Sequence, residues 1–158
     1  MTNRDIAGIL FNISSILNRQ HGNPYRIRAY RRAARFLLRM REPVAQRLAA
    51  GKPLGIPRLG KSLTAKISAL ATDNRLAFYD ELCEELSPDE ARLLHVPGIG
   101  PAIASRIVAD VGSTEPDNLR RAAATGKLQR VWGVGPKRTA VILNTLCPPL
   151  VRQEALAL

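Results

Sequence analysis

Apolar residues recur at helical spacing along most of the chain. Ile6, Ile9, Leu10, Ile13, Ile16 and Leu17 return every three or four positions and predict an amphipathic helix over about residues 4–19. "HGNP" (21–24) ends it and starts the next, with Asn23 suited to cap the helix and Pro24 to open it, since proline has no N–H to lose there. In that second helix, "YRIRAYRRAARFLLRM", Ile27, Ala34, Leu37 and Leu38 form the expected inner face. Arg28, Arg32, Arg35 and Arg39 fall at i, i+4, i+7 and i+11 and form a basic outer stripe. "EPVAQRLAAG" reads as a short helix closed by Gly51. "SPDE" (87–90) has the pattern of a capping box, with Ser87 as cap, Pro88 next and Glu90 at the third helical position. "TEPDNLRRAAATG" predicts a further helix ending at Gly126. Long β-branched or aromatic runs are missing and aromatics make up only 4% of residues, so the expected fold is all-α. The acidic stretch "DELCEELSPDE" (80–90) is the candidate junction between two small helical subdomains, 1–86 and 87–158.

Charge changes this picture most. Of 158 residues, 46% are hydrophobic, enough to bury a core, yet the net charge is +11. Residues 1–70 hold 14 Lys and Arg against only Asp5 and Glu42, a net of +12, and residues 71–158 net −1. A half that basic repels itself unless a polyanion lies against it. Nucleic acid is the first candidate and an anionic membrane surface the second. The membrane reading needs large apolar side chains exposed opposite the arginines, and that face is required for the core. No apolar run approaches the ~20 residues of a membrane span. The N-terminal "MTNRDIAGIL" is broken by charge and lacks a signal-peptide core. Cys83 and Cys147 are far apart and His21 and His95 are isolated, which predicts neither a disulfide scaffold nor a zinc site and suits a reducing cytoplasm, on the nucleoid if the source is bacterial.

One pattern occurs three times: "IPRLGKSLTAKI" at 56, "VPGIGPAIASRI" at 96 and "VWGVGPKRTAVI" at 131. Aligned on the last glycine (Gly60, Gly100, Gly135), a small residue follows four positions later (Thr64, Ala104, Thr139) and an isoleucine seven later (Ile67, Ile107, Ile142). The glycines permit a sharp turn and let a phosphate approach the backbone. The helix that follows presents free N–H groups and a positive dipole end. The small residue allows close helix packing, and the isoleucine anchors the unit. This is a helix-hairpin-helix pattern, which grips backbone rather than bases. A single glycine turn of this kind is weak evidence, since ordinary loops also use glycine; three matched copies are strong. The second copy is the cleanest. The third has Trp132 in place of proline, read as a core plug rather than a base-stacking platform, and adds Lys137 and Arg138. The first has Arg58 where the others have Gly98 and Gly133, a substitution expected to strain the turn. Candidate backbone contacts are Arg58, Gly60 and Lys61, then Gly98, Gly100 and Ala102, then Gly133, Gly135, Lys137 and Arg138.

The order "IAGILFNISSIL", "GNPYRIRAYRRAARFL", three hairpins and "LAFYDEL" between the first two resembles the N-terminal region of family X DNA polymerases, the DNA polymerase beta group and its bacterial relatives. The resemblance covers about residues 3–147. It implies a lyase domain followed by DNA-binding helices. The family's palm uses three clustered carboxylates and two metal ions for phosphoryl transfer. No such set follows residue 147, so this chain by itself is not expected to polymerise DNA; a stand-alone relative and a piece of a polymerase both stay open. The resemblance also implies a 5′-deoxyribose-phosphate lyase in which Lys66 attacks the sugar aldehyde, with Arg26 and Tyr30 holding the 5′-phosphate. It further implies Na+ or K+ at the turn carbonyls of Ile56 and Leu59 and of Val96 and Ile99; no other cofactor is required. Ser62 and Ala65 depart from the family pattern, standing where a phosphate-binding lysine and an acid are found.

Lys66 is therefore open between two readings. Nearby cations (Lys61, Arg58 and the arginine-rich helix) and partial burial beside Leu63 and Ile67 would favour the neutral amine that Schiff-base chemistry needs. The repeat, however, carries Arg106 at the matching position of the second copy, and an arginine forms no Schiff base. A cation there can simply face phosphate. Tyr30 is likewise open between phosphate contact and ordinary packing. The expected function is sequence-nonspecific DNA binding in repair, on gapped, nicked or 5′-phosphate-bearing duplex. Lyase activity through Lys66 is the alternative, and an adaptor that recruits another repair enzyme is the third.

Overall fold

The computed structural model describes residues 1–149, and every regular element in that span is a helix. Helix α1 (Asn3–Arg19) begins at Thr2, whose hydroxyl accepts from the Asp5 N–H while the Asp5 carboxylate accepts from the Thr2 N–H. This reciprocal pair satisfies two donors that a helix start leaves free. Ile6, Leu10, Ile13 and Ile16 are fully buried, and α1 lies along α2 (Pro24–Arg39). Asn23 caps α2 by accepting from the Tyr25 N–H, and Pro24 opens it.

Ile27, Ala34 and Leu37 point into the core as expected, but Leu38 does not: it is 52% exposed. A helix turns by roughly 100° per residue, so Leu38 falls beside Ile27 at the edge of the buried face, whose middle is set by Tyr30, Ala34 and Leu37. Tyr30 and Ala33 fill the inner face instead. The stripe of Arg28, Arg32, Arg35 and Arg39 is exposed.

Asn3 fixes the next element. Its side chain accepts from the Val44 N–H and donates to the Glu42 carbonyl, which seats α3 (Val44–Ala49) against the start of α1. The first hairpin leads into α4 (Lys61–Asp73), which ends at Asn74 in the left-handed region. Then come α5 (Ala77–Glu84) and α6 (Pro88–Leu93). The acidic stretch is thus helical at both ends and breaks between them. Ser87 and Glu90 form the predicted capping box of α6.

The remaining helices are α7 (Pro101–Val111), α8 (Pro116–Ala124), α9 (Lys127–Arg130) and α10 (Gly135–Leu146). The Asp89 carboxylate accepts from both the N–H and the hydroxyl of buried Thr114, and Arg92 pairs with Glu115 at 2.9 Å. These contacts tie α6 to the loop before α8. The first three helices do not stand apart from the rest. Helix α1 touches α4, α5 and α7; the Asn12 amide donates to the Tyr79 hydroxyl at 2.9 Å, and Arg19 lies 3.7 Å from Glu90. Residues 150–158, the end of the expected second subdomain, lie outside the described residues. No described helix is long and apolar enough to cross a membrane.

Candidate nucleic-acid interface

The three repeats agree in their packing. Ile67, Ile107 and Ile142 are all fully buried, and Ala104 and Thr139 lie in the core beside them. The Thr64 and Thr139 hydroxyls donate to the carbonyls of Gly60 and Gly135 one helical turn back. Two residues before the last glycine, Gly98 and Gly133 adopt φ of +80° and +90°. Arg58 holds the same place at φ +55°. The strain expected there is present, and for a residue with a side chain it costs about 1–2 kcal/mol. The Arg58 carbonyl accepts from Arg32 at 3.2 Å, which braces the first turn against α2. The second and third turns close by the Ile99 N–H donating to the Val96 carbonyl (3.1 Å) and the Val134 N–H to the Val131 carbonyl (3.0 Å).

The second and third hairpins sit side by side. A Cβ on Gly133 would stand 3.6 Å from Ile103 and 3.9 Å from Arg106, both on α7. Gly100 abuts α1, with the Asn12 side-chain oxygen 3.4 Å from its missing Cβ. No side chain caps the N-terminus of α4, α7 or α10. Their first-turn N–H groups and positive dipole ends are therefore available to an anion. Lys61, Ala102, Lys137 and Arg138 are exposed at these starts. Arg138 also donates to the Gly133 carbonyl and braces the third turn.

A second cluster forms around Phe78 of α5, a residue that nothing in the sequence pattern marks. The Lys66 ammonium lies 5.0 Å from the Phe78 ring centre and the Arg26 guanidinium 5.6 Å from it. Lys66 donates to the Ser62 hydroxyl at 2.7 Å. Burial, and after it the charge of Arg26, push the Lys66 amine below the usual lysine pKa. Of the cations expected to act on Lys66, the one that does comes from α2. Tyr30 is 4% exposed, its ring packed in the core and its hydroxyl facing Arg26; burial raises its pKa. Arg26, Tyr30 and Lys66 thus converge, although they come from two helices more than 30 positions apart.

Trp132 is not a core plug. It is 76% exposed, and Val131 and Val134 on either side fill the core in its place. The Arg106 guanidinium lies 4.5 Å from the Trp132 ring centre. Lys66 and Arg106 hold the same position in their repeats, and each covers an aromatic ring supplied by a later element. The register of the repeat aligns the two cations, while the rings they meet hold no matching positions.

Comparison with known proteins agrees with this geometry. Residues 1–76 match the family described as "Helix-hairpin-helix domain", and residues 90–146 match "SAM-like Helix-hairpin-helix tandem". The chain is therefore an all-α protein made of helix-hairpin-helix domains. Over 146 residues, 92% of its length, it is 23% identical to "DNA polymerase/3'-5' exonuclease PolX" of Bacillus subtilis, of which it covers 25%. It is also 32% identical over 110 residues, 65% of its length, to "Holliday junction branch migration complex subunit RuvA" of Renibacterium salmoninarum, of which it covers 48%. The chain spans a quarter of the first relative and about half of the second. The resemblance to the N-terminal helix-hairpin-helix region of family X polymerases holds.

Proposed function

We propose that this protein binds the sugar–phosphate backbone of DNA without reading sequence, and that it acts in DNA repair on gapped or nicked duplex carrying a 5′-phosphate. One observation carries the reading: the adjacent turns at Gly98 and Gly133, each feeding an uncapped helix start. Backbone N–H donors recognise phosphate oxygens, which are the same in every sequence. The exposed α2 stripe adds cations, and the similarity to PolX and RuvA, whose names place them on DNA and on its junctions, points the same way. Residues 1–86 would recognise the 5′-phosphate through Arg26, the Tyr30 hydroxyl, Lys61 and Lys66. The part beyond residue 87 would hold the duplex. The two family matches stop at 76 and resume at 90, on either side of that division. The carbonyls of Ile56, Leu59, Val96 and Ile99 suit Na+ or K+, which would bridge turn and phosphate; the Val96 carbonyl keeps one lone pair after accepting from Ile99. The test is binding as a function of salt. If about six phosphates are neutralised, affinity falls roughly a thousandfold between ~50 and ~200 mM salt. A flat salt curve overturns the electrostatic grip, and equal affinity for intact and gapped duplex overturns the preference.

The surroundings of Lys66 favour a second reading, a 5′-deoxyribose-phosphate lyase. A neutral Lys66 amine would attack the C1′ aldehyde and lose water to give a Schiff base. Loss of a C2′ proton would then expel the 3′ phosphate as leaving group. The partly buried amine beside Arg26 supports this. Borohydride reduction on a gapped duplex with a 5′-deoxyribose phosphate should trap a covalent adduct that Lys66→Ala abolishes. Tight binding without an adduct leaves Lys66 as a phosphate contact.

A further inference from the structure

We propose that Trp132 and Arg106 form a stacking site for an unpaired nucleobase at the edge of the grip made by the second and third hairpins. The proposal rests on the DNA-binding reading above and adds to it a ligand that backbone contacts do not recognise. Tryptophan and arginine are enriched where binding energy concentrates, and Trp132 is among the few large apolar side chains exposed within the described residues. Arg106 stacks on its ring at 4.5 Å. A guanidinium on an indole adds positive charge beside a flat apolar surface, which suits a base joined to a phosphate better than an aliphatic partner.

The platform is also held in place. Val131 and Val134 are 2% and 4% exposed and pin both flanks of the turn. The Val134 N–H closes the turn on the Val131 carbonyl, and Arg138 donates to the Gly133 carbonyl. Gly133 at φ +90° makes the sharp bend that carries the indole outward. A ring fixed in this way loses little freedom when a base lands on it. In the other two repeats the equivalent residues are Pro57 and Pro97, which offer no such surface.

Trp132 is the single tryptophan of the chain, so its fluorescence reports on this spot alone. Three duplexes of one length separate the outcomes: intact, gapped by one nucleotide, and gapped with an abasic site opposite the gap. The last keeps the break and the backbone and removes the unpaired base. The base-bearing gap is expected to quench Trp132 more than its abasic twin and to bind about 5- to 150-fold tighter, the range for stacking one base on an aromatic side chain. Trp132→Ala should bring that ratio to about one, and Trp132→Phe should restore part of it. A ratio of one in the native protein, or one that Trp132→Ala leaves unchanged, overturns the site. So does quenching that rises with protein concentration in the absence of DNA, which marks a contact between copies of the chain. Salt-sensitive binding to all three duplexes with no difference between the gapped pair sinks only the stacking site. Failure to bind any of them sinks the DNA-binding reading as well.

Discussion

Burial and the Arg26 guanidinium disfavour the ammonium of Lys66, while the Ser62 hydroxyl accepts a hydrogen bond from it and the Phe78 ring attracts its charge. The first pair prevails, and the pKa is lowered. Arg26→Gln should therefore move the Lys66 midpoint upward, toward the ordinary lysine value of 10.5. At any pH below that value the neutral fraction falls, so borohydride trapping slows and its pH profile shifts to higher pH. Titration of Lys66 by NMR checks this; a midpoint that stays put or falls would remove Arg26 as a cause. Some of this cluster is legible in the sequence. Arg26, Tyr30 and Lys66 stand out there, though nothing in their spacing shows that they meet. Phe78 does not stand out, because it lies in "LAFYDEL", where no local feature marks the ring as a meeting point for two distant cations.

At the level of the hairpin, the first turn differs from the others by one backbone angle. Arg58 bears a cost of about 1–2 kcal/mol for its positive φ, whereas Gly98 adopts one freely. Arg58→Gly should raise stability by up to about 1 kcal/mol, the relief being partly offset by the greater freedom of glycine in the unfolded chain. Gly98→Ala should lower stability by about 1–2 kcal/mol, with nothing nearby to clash, so the cost is conformational. Urea denaturation measures both, and a destabilised Arg58→Gly would mean that its side chain contributes more than its strain removes. The helices themselves are legible because caps and apolar spacing agree. The Thr2 cap is not, and Leu38 departs from expectation because it lies at the edge of the buried face of α2 rather than within it. Trp132 misleads by its residue type alone. Its register matches Pro57 and Pro97, both exposed, and register is the better guide at the tip of a turn.

Over the whole molecule, charge and helix-hairpin-helix architecture divide the work. The basic excess lies in residues 1–70, much of it on the α2 stripe. Among the described residues Arg28, Arg32 and Arg35 form no ion pair, and Arg28 rests on the exposed Tyr25 ring. Replacing all three with Gln should reduce the slope of log affinity against log salt by about 2 to 3, close to one unit for each phosphate no longer neutralised. Folding should lose about 0.5–1.5 kcal/mol through Arg32, whose hydrogen bond to the Arg58 carbonyl is removed, while the other two surface substitutions usually stay within ~0.5 kcal/mol each. An unchanged slope would place DNA away from α2. The all-α class and the three hairpins can be read from sequence because they depend on local spacing. The packing of α1 against α4, α5 and α7 cannot, because it depends on meetings between segments more than 40 positions apart.

That packing makes α1 a beam. It has 17 residues and is about 25 Å long, the length of roughly seven base pairs. Elements anchored along it cannot change their spacing without breaking the core. Intact duplex is equally unyielding, with a persistence length of about 150 base pairs. Two stiff bodies that fit imperfectly at one end cannot correct the misfit at the other. A duplex with a break has a hinge and can settle against both ends of the beam. For a protein that acts as proposed, damage would be sensed as compliance: the broken strand is recognised because the rod around it gives.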